Sequence, residues 1–346
     1  MEFNIDATIQ GLSRIAGHSP DGIVWVEEDP WVMDALRGSV LETGWRGTLT
    51  EYLEADEAWG LWDLSKRAIA RLQTIESVDG PMIWSESMTI PPIGLGTYGW
   101  KYDPAIIREA LDCGIRFIDT AETYGYGRVE KALGEELQDI LFKLLIATKV
   151  SRNHLSYQSV LNACDRSLDR MKIPNVDLYQ VHKPNPKYPI ADTMRAMVDL
   201  LDSGRIKMVG VCNYSVDQVM IARQAIHPHM LRSVQVRYNL LDRGIERALI
   251  PYCQSSGIMI IAYSPLGQKF YRILEAPGAE VLKFMASEYG ATEAQIALAW
   301  IMTQDGVVPI PRTNNLEHVA EIADAVQIEL ESADLDVLDA AFPVAE

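Results

Sequence analysis

The run Leu144-Leu145-Ile146-Ala147-Thr148-Lys149-Val150 is apolar almost throughout, and polar and apolar residues do not alternate along it. A strand with this composition is buried on both faces, as strands are in parallel sheets. Stretches with apolar residues at helical spacing flank it at residues 128–137 and 156–171. The run therefore predicts one strand of a parallel α/β sheet covered by helices.

The same strand–helix unit recurs eight times after Thr89. We predict strands at Ile93–Thr97, Phe117–Thr120, Leu144–Val150, Asp177–His182, Lys207–Val211, Ser233–Val236, Ile258–Tyr263 and Val307–Ile310. We predict helices at Pro104–Cys113, Arg128–Leu137, Ser156–Met171, Ile190–Ser203, Val216–Ala225, Ile245–Ser255, Thr292–Gln304 and Leu316–Val326. Eight units in about 260 residues have the size and count of a (β/α)8 TIM barrel. The longer gap between Tyr263 and Val307 predicts an extra loop or helix over the barrel mouth.

The composition changes near Asp79-Gly80-Pro81, which predicts an N-terminal extension of residues 1–80 and a barrel of residues 81–346. The extension carries five of the eight tryptophans, and 15 acidic residues against six basic ones. It is predicted to be small and mainly helical, with one helix from Asp29-Pro30 to Gly38 and another at residues 56–77. The apolar face of the second helix either packs on the larger domain or forms a partner-binding or substrate-capping module.

The chain has 346 residues, and its 48% hydrophobic and 23% charged side chains are typical of a globular protein. A net charge of −17 argues against a surface for nucleic acid or anionic membrane, which needs clustered lysine and arginine. No apolar run approaches the roughly 18–20 residues of a membrane helix. Residues Met1–Asp6 lack the basic and apolar regions of a secretory signal, so we expect a cytoplasmic protein.

The four cysteines are scattered and form no Cys-x-x-Cys pair with a matching histidine cluster, which predicts buried thiols in a reducing compartment. Disulfides and structural zinc are not expected. His227-Pro228-His229 has the wrong spacing for two ligands on one helix face and is predicted to be a loop. We therefore expect no metal.

Gly94-Leu95-Gly96-Thr97-Tyr98-Gly99 has the G-x-G-x-x-G spacing of a dinucleotide-binding turn, and Asp119 ends the next strand about 20 residues on. In a doubly wound fold this turn opens a helix directly. Here Trp100-Lys101-Tyr102 intervenes, and the helix is predicted to begin at Asp103-Pro104. The regular run of eight units also favours the barrel over an open sheet.

Active residues of a barrel come from the carboxyl ends of its strands. The polar residues at those ends are Asp119 after the second strand, Tyr124 just beyond it, Lys149 in the third and His182 after the fourth. Each follows an apolar run, so each is expected to emerge from the packed interior into one cavity.

These four residue types together suit proton transfer to a substrate oxygen. A tyrosine titrates near 10 and is a poor acid at neutral pH. A neighbouring lysine ammonium favours the phenolate and is expected to lower the pKa of Tyr124, while Asp119 keeps Lys149 charged and aimed. A histidine, His182, can donate a hydrogen bond to the substrate oxygen. Such a proton donor is typically worth about 10²–10⁴ in rate.

The stretch from Phe117 to Gly125, followed by Glu130 and Leu133-Gly134, resembles the signature of the aldo-keto reductases. Four further motifs share this resemblance: Ala147–Val150, Asp177–His182, Gly210–Tyr214 and Tyr263–Gly267. The resemblance runs in order from about Pro91 to Phe342 and does not include residues 1–80. It implies NAD(P)H-dependent reduction of aldehydes and ketones, with Tyr124 as proton donor, Lys149 and Asp119 tuning it, and His182 orienting the carbonyl.

The resemblance also implies which residues hold the cofactor. Asn213 and Gln235 match the positions that bind the nicotinamide carboxamide, and Tyr263 matches the tyrosine that stacks on its ring. Positions on the ribose side are Thr97 and Asp119, and those along the pyrophosphate are Ser264, Leu266 and Gly267.

The adenosine end is expected at residues 310–315, where a helix N-terminus favours phosphate. Arg312 and the Thr313 hydroxyl are expected to bind a 2′-phosphate, which an arginine fork suits. The alternative for Arg312 is a solvated residue at the helix cap. Two departures from the family pattern are His318, where an arginine is frequent, and Ile322 after Glu321, where an asparagine is common. NADPH is the expected cofactor, with NADH as an alternative. The expected set at this end is Pro311, Arg312, Thr313, Asn314, His318 and Glu321.

The segment after His182 is short, because Lys183-Pro184-Asn185-Pro186-Lys187-Tyr188 leads straight into a helix. This length resembles the short-looped bacterial members of the family and predicts a wide, shallow mouth. Substrate contacts are expected from His182 together with Tyr98, Trp100, Tyr126 and Lys183. The alternative for Trp100 is that it packs under the first loop.

Two functions remain open at this point. One is an enzyme that reduces small carbonyl compounds, acting as a monomer or weak homo-oligomer. The other is a binding module that senses nicotinamide redox state, like the potassium-channel beta subunits of this superfamily, with residues 1–80 as its partner surface. The complete set of four polar residues favours the enzyme. A third view gives the extension no part in catalysis and a shielding role only.

Overall fold

The computed structural model describes Ile83–Ser85, Met88–Thr89 and residues 91–344. The helices predicted at residues 29–38 and 56–77 lie outside this part of the chain. A short two-stranded sheet comes first, formed by β1 (Ile83–Ser85) and β2 (Met88–Thr89). Eight strands follow: β3 (Gly94–Gly96), β4 (Phe117–Asp119), β5 (Leu145–Val150), β6 (Val176–Val181), β7 (Ile206–Cys212), β8 (Leu231–Arg237), β9 (Met259–Tyr263) and β10 (Val307–Ile310).

The eight strands form one parallel sheet in chain order from β3 to β10, with every neighbouring pair parallel. The first and last strands also approach each other, since the Gly96 amide donates to the Pro311 carbonyl at 2.8 Å. A Cβ on Gly94 would lie 2.5 Å from the Phe117 ring and 3.1 Å from Ile310, so this closure requires glycine. The sheet is a nearly closed barrel, and the predicted (β/α)8 fold is confirmed.

Helices alternate with the strands around the barrel. They are α1 (Pro104–Asp112), α2 (Arg128–Glu136), α3 (Tyr157–Met171), α4 (Ile190–Asp202), α5 (Val216–Ile226), α6 (Leu249–Ser255), α7 (Tyr271–Leu274), α8 (Ala279–Glu288), α9 (Glu293–Met302), α10 (Leu316–Asp324) and α11 (Ser332–Ala341). Their apolar faces form the core with the outward side chains of the strands. No helix within the described ranges is long and apolar enough to cross a membrane.

The dinucleotide-turn alternative for residues 94–99 is wrong. Gly94–Gly96 is a barrel strand, and Gly99 turns the chain in a left-handed conformation with φ of 73°. The following helix begins at Pro104, where the Asp103 side chain accepts from the Ala105 amide at 3.0 Å. The cap predicted at Asp103-Pro104 therefore ends the loop, and no helix opens at the glycines.

The gap between Tyr263 and Val307 holds two helices, α7 and α8, in addition to the predicted helix that is α9. Only part of this extra segment lies over the barrel mouth, as expected. The loop from Ser264 to Phe270 lines the cavity at the barrel mouth. Helix α8 instead packs against α9 and α11 on the outside of the barrel. Helix α11 was not predicted. Its end closes on Gly278, where a Cβ would lie 2.5 Å from the Ala341 carbonyl.

Gly134 of the Leu133-Gly134 motif lies in α2 against the end of α3. A Cβ there would lie 2.4 Å from the Arg170 carbonyl and 2.6 Å from the Met171 backbone. The obstacle is backbone, which cannot turn aside as a flexible side chain can. Glycine at this position therefore sets how closely the two helices approach.

We expect Gly134→Ala to lower the free energy of unfolding by about 1–3 kcal/mol, the usual cost of overpacking. Gly244→Ala is the matched control, because a Cβ on Gly244 meets no atom within 4 Å. Its effect should stay within about 0.5 kcal/mol. Urea unfolding followed by far-UV circular dichroism measures both. Equal stability of the two variants would contradict this account of the α2–α3 contact.

Candidate active site

One cavity of about 1360 Å³ opens at the carboxyl ends of the barrel strands. Most of the predicted site residues line it: Tyr98, Asp119, Tyr124, His182, Asn213, Gln235, Tyr263, Ser264, Leu266, Gly267, Pro311, Arg312, Thr313, Asn314, His318 and Glu321. They come from strand ends and loops all around the barrel. The barrel therefore brings residues that are widely separated in the sequence together in one cavity.

A buried ion pair between Lys149 and Asp119 lies beneath the cavity, which Asp119 lines and Lys149 does not. Lys149 is fully buried, and its Nζ donates to Asp119 Oδ2 at 2.5 Å, to the Thr120 carbonyl at 2.7 Å and to Tyr124 Oη at 3.4 Å. All three ammonium hydrogens thus have an acceptor. Burial lowers the pKa of Lys149, but the charges of Asp119 and Tyr124 raise it more, so the pKa lies above its usual range. The lysine is therefore charged at neutral pH.

Tyr124 titrates differently from the sequence expectation. Burial raises the pKa of Tyr124 to about 12, although the nearby Lys149 ammonium lowers it and Asp119 raises it further. The expected lowering by lysine is present, but the expected net sign was wrong because burial of the phenol is the larger effect. The phenol is therefore protonated throughout the physiological pH range.

His182 lies beside Tyr124, with the two ring centroids 5.7 Å apart in an edge arrangement. Its Nδ1 is 3.3 Å from Thr123 Oγ1. Burial, together with the Lys149 charge, lowers the pKa of His182 to about 4. The imidazole is thus neutral at pH 7 and carries one N–H, which can donate to an oxygen placed in the cavity.

A sharp turn carries Tyr124 to the cavity. Residues Tyr124–Gly127 form a 3₁₀ turn in which Gly125 and Tyr126 both have left-handed backbone, with φ of 57°. A Cβ on Gly125 would lie 2.5 Å from Tyr102 Oη, so glycine allows the first loop to approach. The close approach of Tyr102 therefore explains, on steric grounds, why glycine follows Tyr124 in this motif.

Glu122 joins this loop to the one that follows β5, a role that sequence reasoning missed. Its carboxylate accepts from the Ser151 amide at 2.6 Å and contacts His154 Nδ1 at 2.8 Å, and it is almost fully buried. The loop that carries Tyr124 is thereby fixed to the strand that carries Lys149. An acidic residue shortly after a buried strand was the available signal.

The predicted nicotinamide positions are joined by hydrogen bonds to the four central residues. Asn213, with φ of 60°, donates to the His182 carbonyl at 3.2 Å, and its Oδ1 accepts from Tyr263 Oη at 2.9 Å. Gln235 Nε2 donates to Asp119 Oδ1 at 2.7 Å. The side chains expected around a nicotinamide therefore also orient the groups expected to do the chemistry.

The far end of the cavity is formed by residues 311–322 and by the loop after β9. Asn314 joins it to the first loop, since its Oδ1 accepts from the Lys101 amide at 2.9 Å and its Nδ2 donates to the Gly99 carbonyl at 3.2 Å. Asn315 caps α10 by accepting from the Glu317 amide at 3.1 Å. Thr313 Oγ1 lies 3.4 Å from His318 Nδ1. This end offers a helix N-terminus and the exposed Arg312.

Five predicted positions do not line the cavity, and one of them is Lys149, which was expected to emerge into it but is fully buried. Thr97 is buried, and its hydroxyl donates to the Asp119 carbonyl at 2.9 Å, so it positions that strand end. Trp100 is 5% exposed and donates to the Asp103 carbonyl, which corresponds to the alternative of packing under the first loop. Tyr126, 94% exposed, and Lys183 lie outside the cavity lining. Side-chain direction, which the sequence does not specify, causes these differences.

A protein-family model described as "Aldo/keto reductase family" matches residues 92–342. The chain belongs to the aldo/keto reductase family. Methylglyoxal reductase YeaE of Escherichia coli (strain K12) is 32% identical over 267 residues, which are 75% of this chain and 94% of that protein. Probable aldo-keto reductase 1 of Glycine max is 30% identical, over 74% of this chain and 90% of that protein.

Solved aldo/keto reductase structures agree with this membership. The enzyme of Klebsiella pneumoniae in complex with NADP and acetate superposes with a TM-score of 0.70 at 31% identity, over 78% of this chain and 97% of that one. Thermostable Tm1743 in complex with the inhibitor epalrestat gives 0.70 at 32% identity, over 75% and 98%. The predicted family and NAD(P)H-dependent oxidoreductase class are confirmed.

In this aldo/keto reductase, removing the charge of Lys149 should leave the Asp119 carboxylate buried and unpaired. We expect Lys149→Met to lower the free energy of unfolding by about 3–5 kcal/mol. Adding Asp119→Asn should recover at least half of the lost free energy of unfolding. The asparagine introduced at position 119 carries no charge, and its side-chain oxygen still accepts from Gln235. Chemical denaturation of the wild type, both single variants and the double variant gives the coupling. A double variant no more stable than Lys149→Met would contradict the ion-pair account.

Proposed function

We propose that this aldo/keto reductase reduces aldehydes or ketones to alcohols, with Tyr124 as the proton donor. The observation that carries the proposal is the contact of Tyr124 Oη with the buried Lys149 ammonium at 3.4 Å, beneath the cavity. A protonated phenol whose conjugate base lies next to a fixed positive charge can release its proton to an oxygen that gains negative charge. The Lys149 charge stabilises the phenolate that remains.

His182 complements this role from the end of β6, two strands along the sheet from β4. As a neutral imidazole it donates its N–H to the carbonyl oxygen without competing for the proton of Tyr124. Two donors that converge on one oxygen orient the carbonyl and stabilise charge that develops on it. Asp119 holds Lys149 in place, and Tyr98, 69% exposed with its ring 5.3 Å from that of Tyr124, forms the adjacent wall. Tyr98 and His182 are the substrate contacts that we propose.

The cavity fits a nicotinamide dinucleotide, which supplies the hydride when bound. Tyr263 offers a ring face near Asn213 and Gln235, and Arg312 lies near the N-terminus of α10 at the other end. Such an end favours phosphate through its free amides. We propose the following cofactor contacts: Asn213, Gln235, Tyr263, Ser264, Leu266, Gly267, Pro311, Arg312, Thr313, Asn314, His318 and Glu321.

We propose NADPH as the preferred form, with NADH as the alternative. Arg312 supplies the planar, doubly donating group that suits a 2′-phosphate, and the Thr313 hydroxyl lies next to it in the chain. The Klebsiella enzyme was solved with NADP and also with NADPH, which supports the same preference here. At His318 the chain lacks the arginine that is frequent in the family, which leaves room for NADH.

The substrate class is a small carbonyl compound, and the named activity of the E. coli relative supports methylglyoxal as one to test.

We further propose that a monomer or weak homo-oligomer is active, because all four central side chains come from one chain. The cysteines of the described residues are free thiols, which supports a reducing cytoplasm. The family match begins at residue 92, which supports a division of the chain near residue 80 into extension and barrel.

The first test is turnover of Tyr124→Phe with a panel of aldehydes, methylglyoxal included, and with NADPH or NADH. We expect kcat to fall by about 10²–10⁴ while the cofactor Kd stays within about twofold, because only the proton donor is lost. Tyr126→Phe is the matched control, since that ring is exposed and outside the cavity. NADPH oxidation at 340 nm and fluorescence titration measure the two effects.

Turnover of Tyr124→Phe within tenfold of wild type would refute Tyr124 as the acid. Tight cofactor binding by wild type without turnover of any carbonyl would favour the nicotinamide-sensing alternative, which no feature of the described residues favours at present.

The pKa of Tyr124 near 12 also sets the pH dependence. Reduction needs the phenol, which persists below that pKa, so no loss of reduction through Tyr124 is expected between pH 6 and 10. Alcohol oxidation needs the phenolate, so its rate should rise about tenfold per pH unit over the same range. Initial rates in both directions measure this, with Tyr124→Phe as the reference. A plateau of the oxidation rate below pH 9 would contradict the raised pKa.

A further inference from the structure

Polar side chains stand inside the barrel at the level of Lys149, where TIM barrels mostly carry branched apolar residues. Lys149 on β5 is in register with Gln180 on β6, and Gln180 is in register with Gly210 on β7. Gly210 in turn pairs with Ser233 on β8. Lys149, Gln180 and Ser233 are all fully buried. We call these four positions, Lys149, Gln180, Gly210 and Ser233, the polar tier.

Gln180 connects the polar tier to Asp119. Its Nε2 donates to Asp119 Oδ1 at 3.4 Å, the same oxygen that accepts from Gln235 Nε2 at 2.7 Å. Its Oε1 accepts from Ser233 Oγ at 3.3 Å and from Cys212 Sγ at 3.7 Å. The two donors on Oε1 define which way the amide faces. The N–H group of Gln180 is therefore directed at the carboxylate of Asp119.

Gly210 makes room for this contact. A Cβ at Gly210 would lie 2.1 Å from Ser233 Oγ and 3.0 Å from Gln180 Cγ. An apolar side chain at position 180 would fill the interior and would need no hydrogen-bond partner. A buried glutamine amide costs free energy unless it is hydrogen-bonded. Here every polar atom of Gln180 has a partner, and its donor faces the carboxylate that holds Lys149.

We propose that Gln180 is a positioning residue for the reaction, which holds the Asp119 carboxylate against Lys149 from inside the barrel. The inference rests on the proposed function of Tyr124. Amides from β6 and β8 grip one carboxylate oxygen, so the other oxygen stays turned toward the ammonium. Lys149 then keeps its third hydrogen on Tyr124 Oη. Ser233 acts one step further away, by fixing the orientation of the Gln180 amide.

Gln180→Met tests this, because methionine has a similar length and neither donates nor accepts strongly. We expect kcat for carbonyl reduction to fall about tenfold, the rate equivalent of one hydrogen bond to a charged group. Substrate KM and cofactor Kd should stay within about twofold, since Gln180 touches neither ligand. Leu178→Met is the matched control on the same strand, also buried and similar in volume. The fall in kcat should be smaller for Ser233→Ala than for Gln180→Met. The double variant Gln180→Met/Ser233→Ala should lose no more kcat than Gln180→Met alone.

Gln180→Glu separates positioning from mere packing. The introduced carboxyl can donate to Asp119 only while it is protonated, and a neighbouring carboxylate raises its pKa. The charged groups around it are Asp119 on β4 and Lys149 on β5, with the Cys212 thiol on β7. We expect kcat near that of wild type at pH 6 and a fall toward that of Gln180→Met by pH 9. A packing role would give no such pH dependence.

The inference is overturned if Gln180→Met stays within twofold of Leu178→Met, or if Gln180→Glu shows the pH dependence of wild type. If Gln180→Met does not fold, Ser233→Ala and Gln180→Glu decide the question by the same criteria. Tyr124→Phe runs in the same assay, so retained activity there refutes the proposed function instead.

Crystal structures add a readout without turnover. Gln180→Met should lengthen the separation of Lys149 Nζ and Tyr124 Oη beyond 3.4 Å. An unchanged separation together with an unchanged kcat overturns the inference.

Discussion

A lysine ammonium with no access to water is the constraint on which the rest of this barrel depends. Removing such an ion from water costs several kcal/mol, and only a close counter-ion with further acceptors offsets that cost. Lys149 has both, in the Asp119 carboxylate and the Thr120 carbonyl. These partners lie on β4 and just after it, so the registry of β4 and β5 must be maintained for the lysine to remain charged. Fold and chemistry are therefore coupled at this pair.

The same burial defines the acid–base character of the cavity. Burial favours the neutral forms of both the Tyr124 phenol and the His182 imidazole, and the charge of Lys149 acts on each in a different way. It opposes the effect of burial on Tyr124 and reinforces that effect on His182. The result is a phenol that keeps its proton at neutral pH, next to a histidine that does not gain one. Neither property follows from the residue types alone.

The barrel could be predicted from the sequence, and the four central residues could be proposed as candidates, because both depend on local patterns. Unbroken apolar runs gave the buried strands, and polar residues at their ends gave Asp119, Lys149 and His182. What it could not give depends on side-chain direction and burial. Thr97 and Trp100 follow a strand end as Tyr98 does, yet only the tyrosine faces the cavity.

The position of Gln180 in the polar tier was not predicted from the sequence. A glutamine between Tyr179 and Val181, in a strand whose other strongly polar residue is Asp177, is visible in the sequence. Its meaning required the parallel register that places it next to Lys149. The placement of α8 and α11 likewise depended on long-range contacts. Local patterns therefore identified elements, and only the assembled barrel showed which polar groups meet inside it.

Asn314 belongs at once to the cavity wall and to the join between the first and last strands of the barrel. Its two hydrogen bonds to Gly99 and Lys101 cross that join, where the Gly96 amide also meets Pro311. Arg312 and Thr313, which precede it directly, line the same cavity. Natural or engineered substitution of these residues is therefore restricted by the neighbouring Asn314, which must maintain the contact between the first and last strands. A change of dinucleotide preference at this end of the cavity would therefore have to retain Asn314, because its hydrogen bonds keep the barrel closed.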